Sequence, residues 1–288
     1  SLNEAMLQHP PALWVGRGGI TQMAVSAIDI ALWDLKAKLL KMPLWKLLRG
    51  DPDSRLEAYN TDGGWLNWSE SELVDDARKL VNEDGFPGLK VKLGKDSARE
   101  DLRRVEAVRK AVGDEVKLMV DANGRWDLPH ATRVGERLSD FDIIWFEEPM
   151  WHHDVSGHAQ LARRITTPIA LGELLYTVDD FRHFIEAGAV HFIQVDAVRI
   201  GGVTQWWKVA DMGYGFRLPV IPHHGDGGQA QLHLGIAHAG CPSLEYIPWT
   251  RRCFVEPMTV ENGHYLVPQE NGAGTTLTAE AMESFGVR

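Results

Sequence analysis

The stretch between residues 117 and 173 decides the fold, because it contains the runs Lys117-Leu-Met-Val-Asp121, Ile143-Ile-Trp-Phe-Glu147 and Pro168-Ile-Ala-Leu-Gly-Glu173. Each run is a short apolar segment that ends in an acid, and each acid follows the previous one by 26 residues. A strand, a helix and two loops take up about that length. The spacing therefore predicts successive parallel strands whose carboxylates meet at one mouth. Like charges so close repel unless a cation lies among them, so the three acids are candidate metal ligands.

Outward from this stretch, strand-like and helix-like patterns alternate along the chain. The candidate helices cover residues 69–83, 98–112, 177–187 and 203–212. The candidate strands cover residues 56–59, 89–92, 116–120, 143–146, 169–171, 191–195, 218–221 and 243–246. Eight such repeats predict an α/β protein with a closed (β/α)8, TIM-like barrel, whose chemistry lies at the carboxyl ends of its strands. An open doubly wound sheet is the alternative, but no Gly-x-Gly-x-x-Gly follows the first strand.

Two further segments flank the predicted barrel. Apolar residues recur at helical spacing over residues 20–48, with a break at Met42-Pro43. The turn Gly50-Asp51-Pro52 marks a boundary. We therefore expect a helical segment at 1–50, a barrel at 51–254 and a C-terminal segment at 255–288 that packs back on the body.

Composition and charge narrow the class of protein. The chain has 288 residues, of which 44% are hydrophobic and 24% are charged, as is usual for a soluble globular protein. Its formal net charge of −10 argues against a nucleic-acid partner. No apolar run is long enough for a membrane span. The two cysteines, Cys241 and Cys253, suit neither a metal-binding pair nor a disulfide framework, so a cytoplasmic location is expected.

Polar residues also mark the ends of the other predicted strands. Lys90 and Lys92 lie two apart on one strand, so both face the same side. Two neighbouring ammonium groups lower each other's pKa, which can make a lysine a base near neutral pH. Asp196 and His223 end adjacent strands and could form a dyad in which the carboxylate orients the imidazole.

The predicted mouth of the barrel contains further acids and hydroxyl-binding groups. Glu147 and Glu148 are adjacent and face opposite ways, so only one is expected to bind metal directly. Glu245 lies on the eighth strand. The side chains that could bind hydroxyl groups are Asn60, Asp62, Asn123, His224, Asp226 and Gln229. Any one such residue is more often a helix cap or a structural group. Their equivalent positions at the ends of successive strands nevertheless favour a functional site.

The ordered set Lys-x-Lys, Asp-x-Asn, Glu-Glu-Pro, Gly-Glu, Asp and His resembles the enolase superfamily, and most closely its mandelate racemase subgroup. The segment Gly19-Ile-Thr-Gln-Met-Ala-Val-Ser-Ala-Ile-Asp-Ile-Ala-Leu-Trp-Asp-Leu-Lys is similar to that subgroup's helix leading into the barrel. The resemblance covers essentially the whole chain. It implies that residues 1–50 are the helical end of a truncated N-terminal capping domain, and that the protein forms a homo-oligomer, either a dimer or an octamer.

The resemblance also implies roles for the acids and lysines. Asp121, Glu147 and Glu173 would bind Mg²⁺. Lys92 would be one base, and Lys90 would tune its pKa and touch the substrate carboxylate.

On the opposite face, the resemblance implies a dyad of Asp196 and His223. His223 is chosen over His224 because the family's histidine commonly follows this kind of proline directly. Glu245 would lie near the carboxylate of the substrate. The substrate-binding residues would be Asn123, His224 and Asn60.

The activity that the resemblance implies is Mg²⁺-dependent removal of the proton next to a carboxylate. Dehydration of an acid sugar, an aldonate or aldarate, to a 2-keto-3-deoxy acid is the expected reaction, with a small-molecule carboxylate as partner. Bases on two faces also suit a racemase or epimerase, and a lactone cycloisomerase is a further alternative. A noncatalytic metal-binding barrel is the alternative outside the enzymes. A metal hydrolase is disfavoured because it would usually bind its metal through histidines, whereas oxygen ligands favour Mg²⁺.

Overall fold

The computed structural model describes residues 1–224 and 228–286. The strands in this part of the chain are β1 (Glu57–Asn60), β2 (Gly88–Lys92), β3 (Lys117–Asp121), β4 (Ile143–Glu147), β5 (Ile169–Leu171), β6 (Phe192–Ile193), β7 (Ser243–Tyr246), β8 (Val260–Glu261) and β9 (His264–Tyr265). The helices are α1 (Leu2–Gln8), α2 (Pro10–Val15), α3 (Gly19–Leu39), α4 (Leu44–Leu47), α5 (Glu70–Asn82), α6 (Ala98–Val112), α7 (Leu128–Leu138), α8 (Val155–Ala162), α9 (Val178–Glu186), α10 (Ala197–Ile200), α11 (Val203–Gly215), α12 (Gln229–Ala237) and α13 (Ala279–Phe285).

The parallel strands close into a barrel. Strands β1 to β6 pair with their neighbours in chain order, and β7 pairs in parallel with β1. In that last ladder Glu57 lies opposite Ser243 and Asn60 lies opposite Tyr246. The sheet therefore has no open edge between its first and last barrel strands. The predicted (β/α)8 barrel is confirmed, and the open doubly wound sheet is wrong.

The seventh barrel segment differs from the prediction of a full strand over residues 218–221. It pairs with β6 through a single bridge between Ile193 and Val220. Ile193 donates its N–H to the Pro219 carbonyl at 2.9 Å, and Ile221 donates to the Ile193 carbonyl at 2.8 Å. Beyond this bridge His223 donates its N–H to the Val195 carbonyl at 3.3 Å. Pro219 has no N–H to donate to β6, so the ladder is short at its amino end. The segment 218–221 therefore pairs as a single bridge rather than as the predicted full strand.

Local sequence fixes where the helices of the barrel begin. Ser69 and Glu72 form a reciprocal capping box at the start of α5, and Thr177 and Asp180 form another at the start of α9. Asp196 caps α10, because its side chain accepts the N–H of Val198. These caps satisfy N–H groups that the first helical turn leaves unpaired.

A layer of apolar side chains fills the barrel just below its mouth. It consists of Tyr59, Met119, Trp145, Ala170 and Ile221, all at most 3% exposed. Three of these precede Asp121, Glu147 and His223 by two residues, so each pair shares one face of its strand. The polar strand-end groups therefore form the next layer toward the mouth.

A buried polar network attaches helix α3 to the barrel. Asp29 accepts hydrogen bonds from the Asn3 amide at 2.8 Å and from the backbone N–H of Thr204 at 2.9 Å. Gly202 allows this approach, because it has a φ of +87° and an added Cβ would lie 2.4 Å from the Asp29 side chain. Helix α3 is thereby fixed to the α10–α11 side of the barrel.

The C-terminal segment packs against both the helical segment and the barrel. Leu44 donates its N–H to the Gly272 carbonyl at 2.7 Å, and the Tyr265 hydroxyl donates to the Glu245 carbonyl at 2.6 Å. None of the helices in residues 1–224 and 228–286 combines the length and hydropathy needed to cross a membrane.

Candidate active site

The carboxyl ends of the barrel strands bring the charged residues into one buried cluster. The Nζ atom of Lys90 lies 2.7 Å from Glu147, 2.8 Å from Glu245 and 3.8 Å from Asp121. All four side chains are buried. Because they come from β2, β3, β4 and β7, the ammonium of Lys90 ties four strand ends together.

Lys92 lies toward the outside of the same cluster. Its Nζ atom donates to Asp121 and, at 3.0 Å, to the side-chain oxygen of Asn123. Asn123 has a φ of +45°, and its backbone N–H donates to Asp121 at 2.8 Å. This local turn places the Asn123 amide beside the lysine. Asn123 therefore orients Lys92 in addition to facing the mouth.

The pKa of neither lysine is lowered, contrary to the prediction for two neighbouring ammonium groups. Burial lowers the pKa of Lys90, but Glu147, Glu245 and Asp121 raise it to well above the usual value. Burial and repulsion by Lys90 lower the pKa of Lys92, but the attraction of Asp121 prevails and raises it. Both groups are therefore ammonium ions in this arrangement.

His223 and Asp196 form a buried dyad. The Nδ1 atom of His223 lies 2.8 Å from Asp196 Oδ2, and its Nε2 atom lies 3.1 Å from Glu173. The other Asp196 oxygen accepts from the Gln231 amide at 2.7 Å. Although burial lowers the pKa of His223, Glu173, Glu245 and Asp196 together raise it to about 10. The ring is therefore an imidazolium at neutral pH.

His224 lies beside the dyad and also supports the local backbone. Its Nδ1 atom accepts the backbone N–H of Ile247 at 3.1 Å, and its own backbone N–H donates to Glu245 at 3.0 Å. Burial lowers the pKa of His224 to about 4. A neutral ring whose Nδ1 accepts must carry its proton on Nε2, which remains a donor.

Two of the polar residues expected to bind hydroxyl groups are already engaged by the protein. Asn60 is 3% exposed, and its side-chain oxygen accepts the backbone N–H of Asp62 at 2.9 Å. The Gln229 amide donates to the Glu256 carbonyl at 2.7 Å. Asp226 lies outside the described residues. Asn60 and Gln229 therefore stabilise loops in this arrangement.

The three acids expected to bind metal each contact a cationic side chain. Lys90 pairs with Glu147, Lys92 pairs with Asp121, and His223 pairs with Glu173. Within residues 1–224 and 228–286, no group of three or more His, Cys, Asp or Glu side chains is arranged to hold a metal ion. The protein's own cations hold the acids in their present orientations.

Glu147 is also the most fully satisfied of these acids. Its second oxygen accepts from the Trp145 indole at 3.1 Å and from the Gln194 amide at 2.5 Å. Burial nevertheless raises the pKa of Glu147 to about 7, with Asp121, Glu245 and Glu173 acting in the same direction.

The environment of Glu148 indicates that the cluster suits a divalent cation. Both of its carboxylate oxygens are buried, and neither has a hydrogen-bond partner among the described residues. Burial raises the pKa of Glu148 to about 9, with further contributions from Glu173, Asp121 and Glu147. A buried carboxylate without a donor is costly, and an oxygen-binding cation would compensate it.

The charge balance of the cluster also indicates a site for a divalent cation. The carboxylates are Asp121, Glu147, Glu148, Glu173, Asp196 and Glu245, and the cations are Lys90, Lys92, Arg199 and the imidazolium of His223. When all are ionised, the carboxylates exceed the cations by two charges, which one divalent cation would neutralise. The donor set therefore fits Mg²⁺.

Sequence reasoning missed several residues that support this cluster. Gln194 lies two residues before Asp196, so the period of a strand could have revealed it. Arg199 follows Asp196 by three residues, and its Nη1 atom donates to the Glu173 carbonyl at 3.0 Å. Gln231 lies on α12, and no sequence pattern connects it with Asp196.

A closed (β/α)8 barrel with lysines, carboxylates and a histidine–aspartate dyad at its strand ends defines the class of enolase-like barrels. The family described as "Enolase C-terminal domain-like" matches residues 72–281, and the "Mandelate racemase / muconate lactonizing enzyme, N-terminal domain" matches residues 3–49. The chain belongs to the mandelate racemase/muconate lactonizing enzyme group of the enolase superfamily, as the resemblance implied.

Two curated relatives show the range of this similarity. The chain is 40% identical to L-talarate/galactarate dehydratase of Salmonella typhimurium over 267 residues, which cover 93% of this chain and 66% of that protein. It is 34% identical to 3,6-anhydro-alpha-L-galactonate cycloisomerase of Streptomyces coelicolor over 281 residues, which cover 95% of this chain and 75% of that protein. The chain thus spans about two thirds to three quarters of the length of these relatives.

A solved structure of a relative has the same fold. L-talarate dehydratase from Polaromonas sp. JS666, complexed with Mg and L-glucarate, superposes with a TM-score of 0.90 and 36% sequence identity. The match covers 98% of this chain and 77% of that chain.

Proposed function

We propose that this chain carries the site of a Mg²⁺-dependent hydro-lyase that dehydrates an acid sugar, an aldonate or aldarate, to a 2-keto-3-deoxy acid. One observation carries the proposal: Lys92 and His223 contact different members of the same carboxylate cluster. Lys92 contacts Asp121, and His223 contacts Glu173. A carboxylate substrate at this cluster would have a proton-transfer group on each of two sides.

The reaction needs one group to take a proton and another to release one. Removal of the proton on the carbon next to the carboxylate requires a base, for which Lys92 is the candidate once its ammonium has lost a proton. A cation held by Asp121 would weaken the attraction that raises the pKa of Lys92. Departure of the hydroxyl from the following carbon requires an acid, and the imidazolium of His223 supplies it from Nε2. The carbon–oxygen bond breaks, water leaves, and the resulting enol becomes the 2-keto acid.

The remaining residues of the chain orient these two groups. Asp196 accepts from Nδ1 of His223, so the Nε2 atom is the one that faces the cluster. The side-chain oxygen of Asn123 accepts a hydrogen bond from the Lys92 ammonium at 3.0 Å. Lys90 is the proposed partner of the substrate carboxylate, and Glu245 holds its ammonium at 2.8 Å.

Asp121, Glu147 and Glu173 are the proposed Mg²⁺ ligands. Glu148, whose carboxylate has no hydrogen-bond partner in residues 1–224 and 228–286, is close enough for all three to raise its pKa. Mg²⁺, when bound, offsets the negative charge that builds on the substrate carboxylate as the neighbouring proton leaves. The proposal for this cofactor is supported by the charge balance of the cluster and by the magnesium named with the Polaromonas relative.

The similarity to L-talarate/galactarate dehydratase supports dehydration over the other reactions of this site. Incubation with a panel of aldonic and aldaric acids and Mg²⁺ tests it, with the 2-keto product detected by its reaction with semicarbazide. We expect one or a few of these acids to yield a 2-keto product.

Three alternatives follow from the same site. A racemase or epimerase would introduce solvent deuterium next to the carboxylate without forming a 2-keto product. A lactone cycloisomerase finds support in the 34% identity to the Streptomyces cycloisomerase, and it would consume a sugar lactone or anhydro acid instead. In a noncatalytic barrel, Lys92→Ala and His223→Ala would behave like the wild-type chain.

The proposal extends to the substrate contacts and the organisation of the chain. Asn123, His224 and Asn60 are the proposed substrate-binding residues. We assign residues 1–50 to the helical part of a capping domain, 51–254 to the catalytic barrel and 255–288 to the packing segment.

The cysteines Cys241 and Cys253 are free, in agreement with a cytoplasmic location. A dimer or octamer is the proposed assembly, which light scattering at several protein concentrations would test.

A further inference from the structure

Two tryptophans from distant parts of the chain stack at the mouth of the barrel. Trp65 follows β1 and Trp249 follows β7, and their ring centroids lie 5.6 Å apart with an angle of 28° between the planes. Both indole N–H groups donate to Asp62, one to its carbonyl at 2.8 Å and one to its carboxylate at 2.5 Å. One aspartate therefore fixes the orientation of both rings. We call this pair the aromatic wall.

The backbone holds the aromatic wall next to Lys92. Gly64 has a φ of +73°, and a Cβ there would lie 2.9 Å from the Lys90 carbonyl. Lys92 donates its backbone N–H to the Gly64 carbonyl at 3.0 Å. The buried guanidinium of Arg104 donates to the Trp65 carbonyl at 2.9 Å. The Trp65 backbone is therefore attached to the strand that carries the lysines, and the Nζ atom of Lys92 lies 5.7 Å from the Trp65 ring centroid.

The aromatic wall is not part of the hydrophobic core. Neither tryptophan belongs to the two apolar clusters of the described residues, and Trp249 is 56% exposed. An indole that is oriented by a hydrogen bond but left open to solvent contributes little to core packing. Its face is available to a ligand at the mouth.

We propose that the aromatic wall contacts the carbon chain of the substrate beyond its reacting carbons, so that the site prefers a six-carbon acid sugar to a four-carbon hydroxy acid. This inference rests on the proposed function, because it places the reacting carbons within hydrogen-bond reach of Lys92. A four-carbon chain extends less far from Lys92 than a six-carbon chain, so it has less contact with the two indole rings. A longer chain runs along the ring face, where its C–H groups pack against the π-system and its hydroxyl groups remain in water.

Binding experiments on the full chain measure the contribution of the aromatic wall independently of the reaction. Calorimetry with Mg²⁺ would compare galactarate, a six-carbon aldarate, with tartrate, a four-carbon one. The Trp249→Ala variant should bind galactarate about tenfold more weakly than the wild-type chain and bind tartrate within twofold of it. Trp249→Phe should recover most of the loss. Trp14→Ala is the matched control, because Trp14 is 84% exposed on α2.

The outcomes distinguish this inference from the proposed function. Three results would overturn the role of the wall. In two of them, Trp249→Ala weakens the binding of both acids equally or weakens neither. In the third, the wild-type chain binds neither acid. Selective loss of galactarate binding without any 2-keto product in the wild-type chain would support the wall and overturn the dehydratase.

Discussion

The imidazole of His223 and the carboxylate of Asp196 form a 2.8 Å contact between the ends of two neighbouring barrel segments. Asp196 also caps α10 and accepts from Gln231, so its carboxylate cannot turn away from the histidine without breaking both bonds. The dyad is therefore held rigidly, and the Nε2 atom of His223 faces Glu173.

Replacing Asp196 with asparagine should lower kcat by roughly 10²- to 10⁴-fold, with a smaller change in KM. The amide removes the negative charge that helps keep His223 protonated and oriented. Asp211→Asn is the matched control, because Asp211 is an exposed carboxylate that pairs with the buried His238 at 3.2 Å. A kcat within threefold of the wild-type value for Asp196→Asn would exclude a catalytic dyad.

Lys92→Ala should abolish exchange of the proton next to the substrate carboxylate, whereas Lys117→Ala should leave it unchanged. Lys117 provides the control because it forms an exposed ion pair with Glu57 at 2.6 Å. The exchange is measured by NMR in deuterated buffer with Mg²⁺. Undiminished exchange in Lys92→Ala would assign proton removal to another group.

Glu148→Gln should stabilise the metal-free protein and reduce the increase in Tm on adding Mg²⁺. Glu148 is a buried acid whose pKa is raised to about 9, so folding loses stability as the pH rises from about 4.5 toward 9. Replacing this acid should raise the free energy of unfolding of the metal-free protein by about 1–3 kcal/mol at pH 7. Differential scanning fluorimetry with EDTA or Mg²⁺ measures both effects, with exposed Glu136→Gln as control. An unchanged response to Mg²⁺ would place Glu148 outside the influence of the cation.

His233 should make the fold sensitive to acid. Burial lowers its pKa to about 3, and its Nδ1 atom accepts the backbone N–H of Trp45 at 3.2 Å. The folded pKa lies below the unfolded value of 6.5, so stability is fully present above 6.5 and is lost as the pH falls toward 3. The limiting slope is about 1.4 kcal/mol per pH unit.

A His233→Gln variant tests this dependence through urea unfolding at pH 7 and pH 4.5. The variant should lose less free energy of unfolding between these pH values than the wild-type chain does. Equal losses would show that His233 is not responsible.

The sequence predicts the architecture well because its signals are periodic and local. The 26-residue spacing of Asp121, Glu147 and Glu173 reflects the length of one strand–helix unit. The closure of β7 on β1 follows from eight such units. The same hydrophobic pattern overestimates the strand at 218–221, because hydrophobicity alone does not reveal the N–H group that Pro219 lacks.

The electrostatics of the site could not be predicted in the same way. The lysine pair is local in sequence, but Glu245, which raises the pKa of Lys90, comes from the last barrel strand. Likewise, Trp65 and Trp249 meet only because the barrel closes. Such contacts depend on tertiary structure, so no local pattern contains them.

Incubation of the full chain with acid sugars and Mg²⁺ in deuterated water, followed by NMR, is the most direct test of the central claim. The account predicts a 2-keto-3-deoxy acid from at least one aldonate or aldarate, with deuterium incorporated at the 3-position. It also predicts that EDTA, Lys92→Ala and His223→Ala each abolish the product. Product formation that continues in both variants, or neither product nor exchange across the panel with metal present, would contradict it.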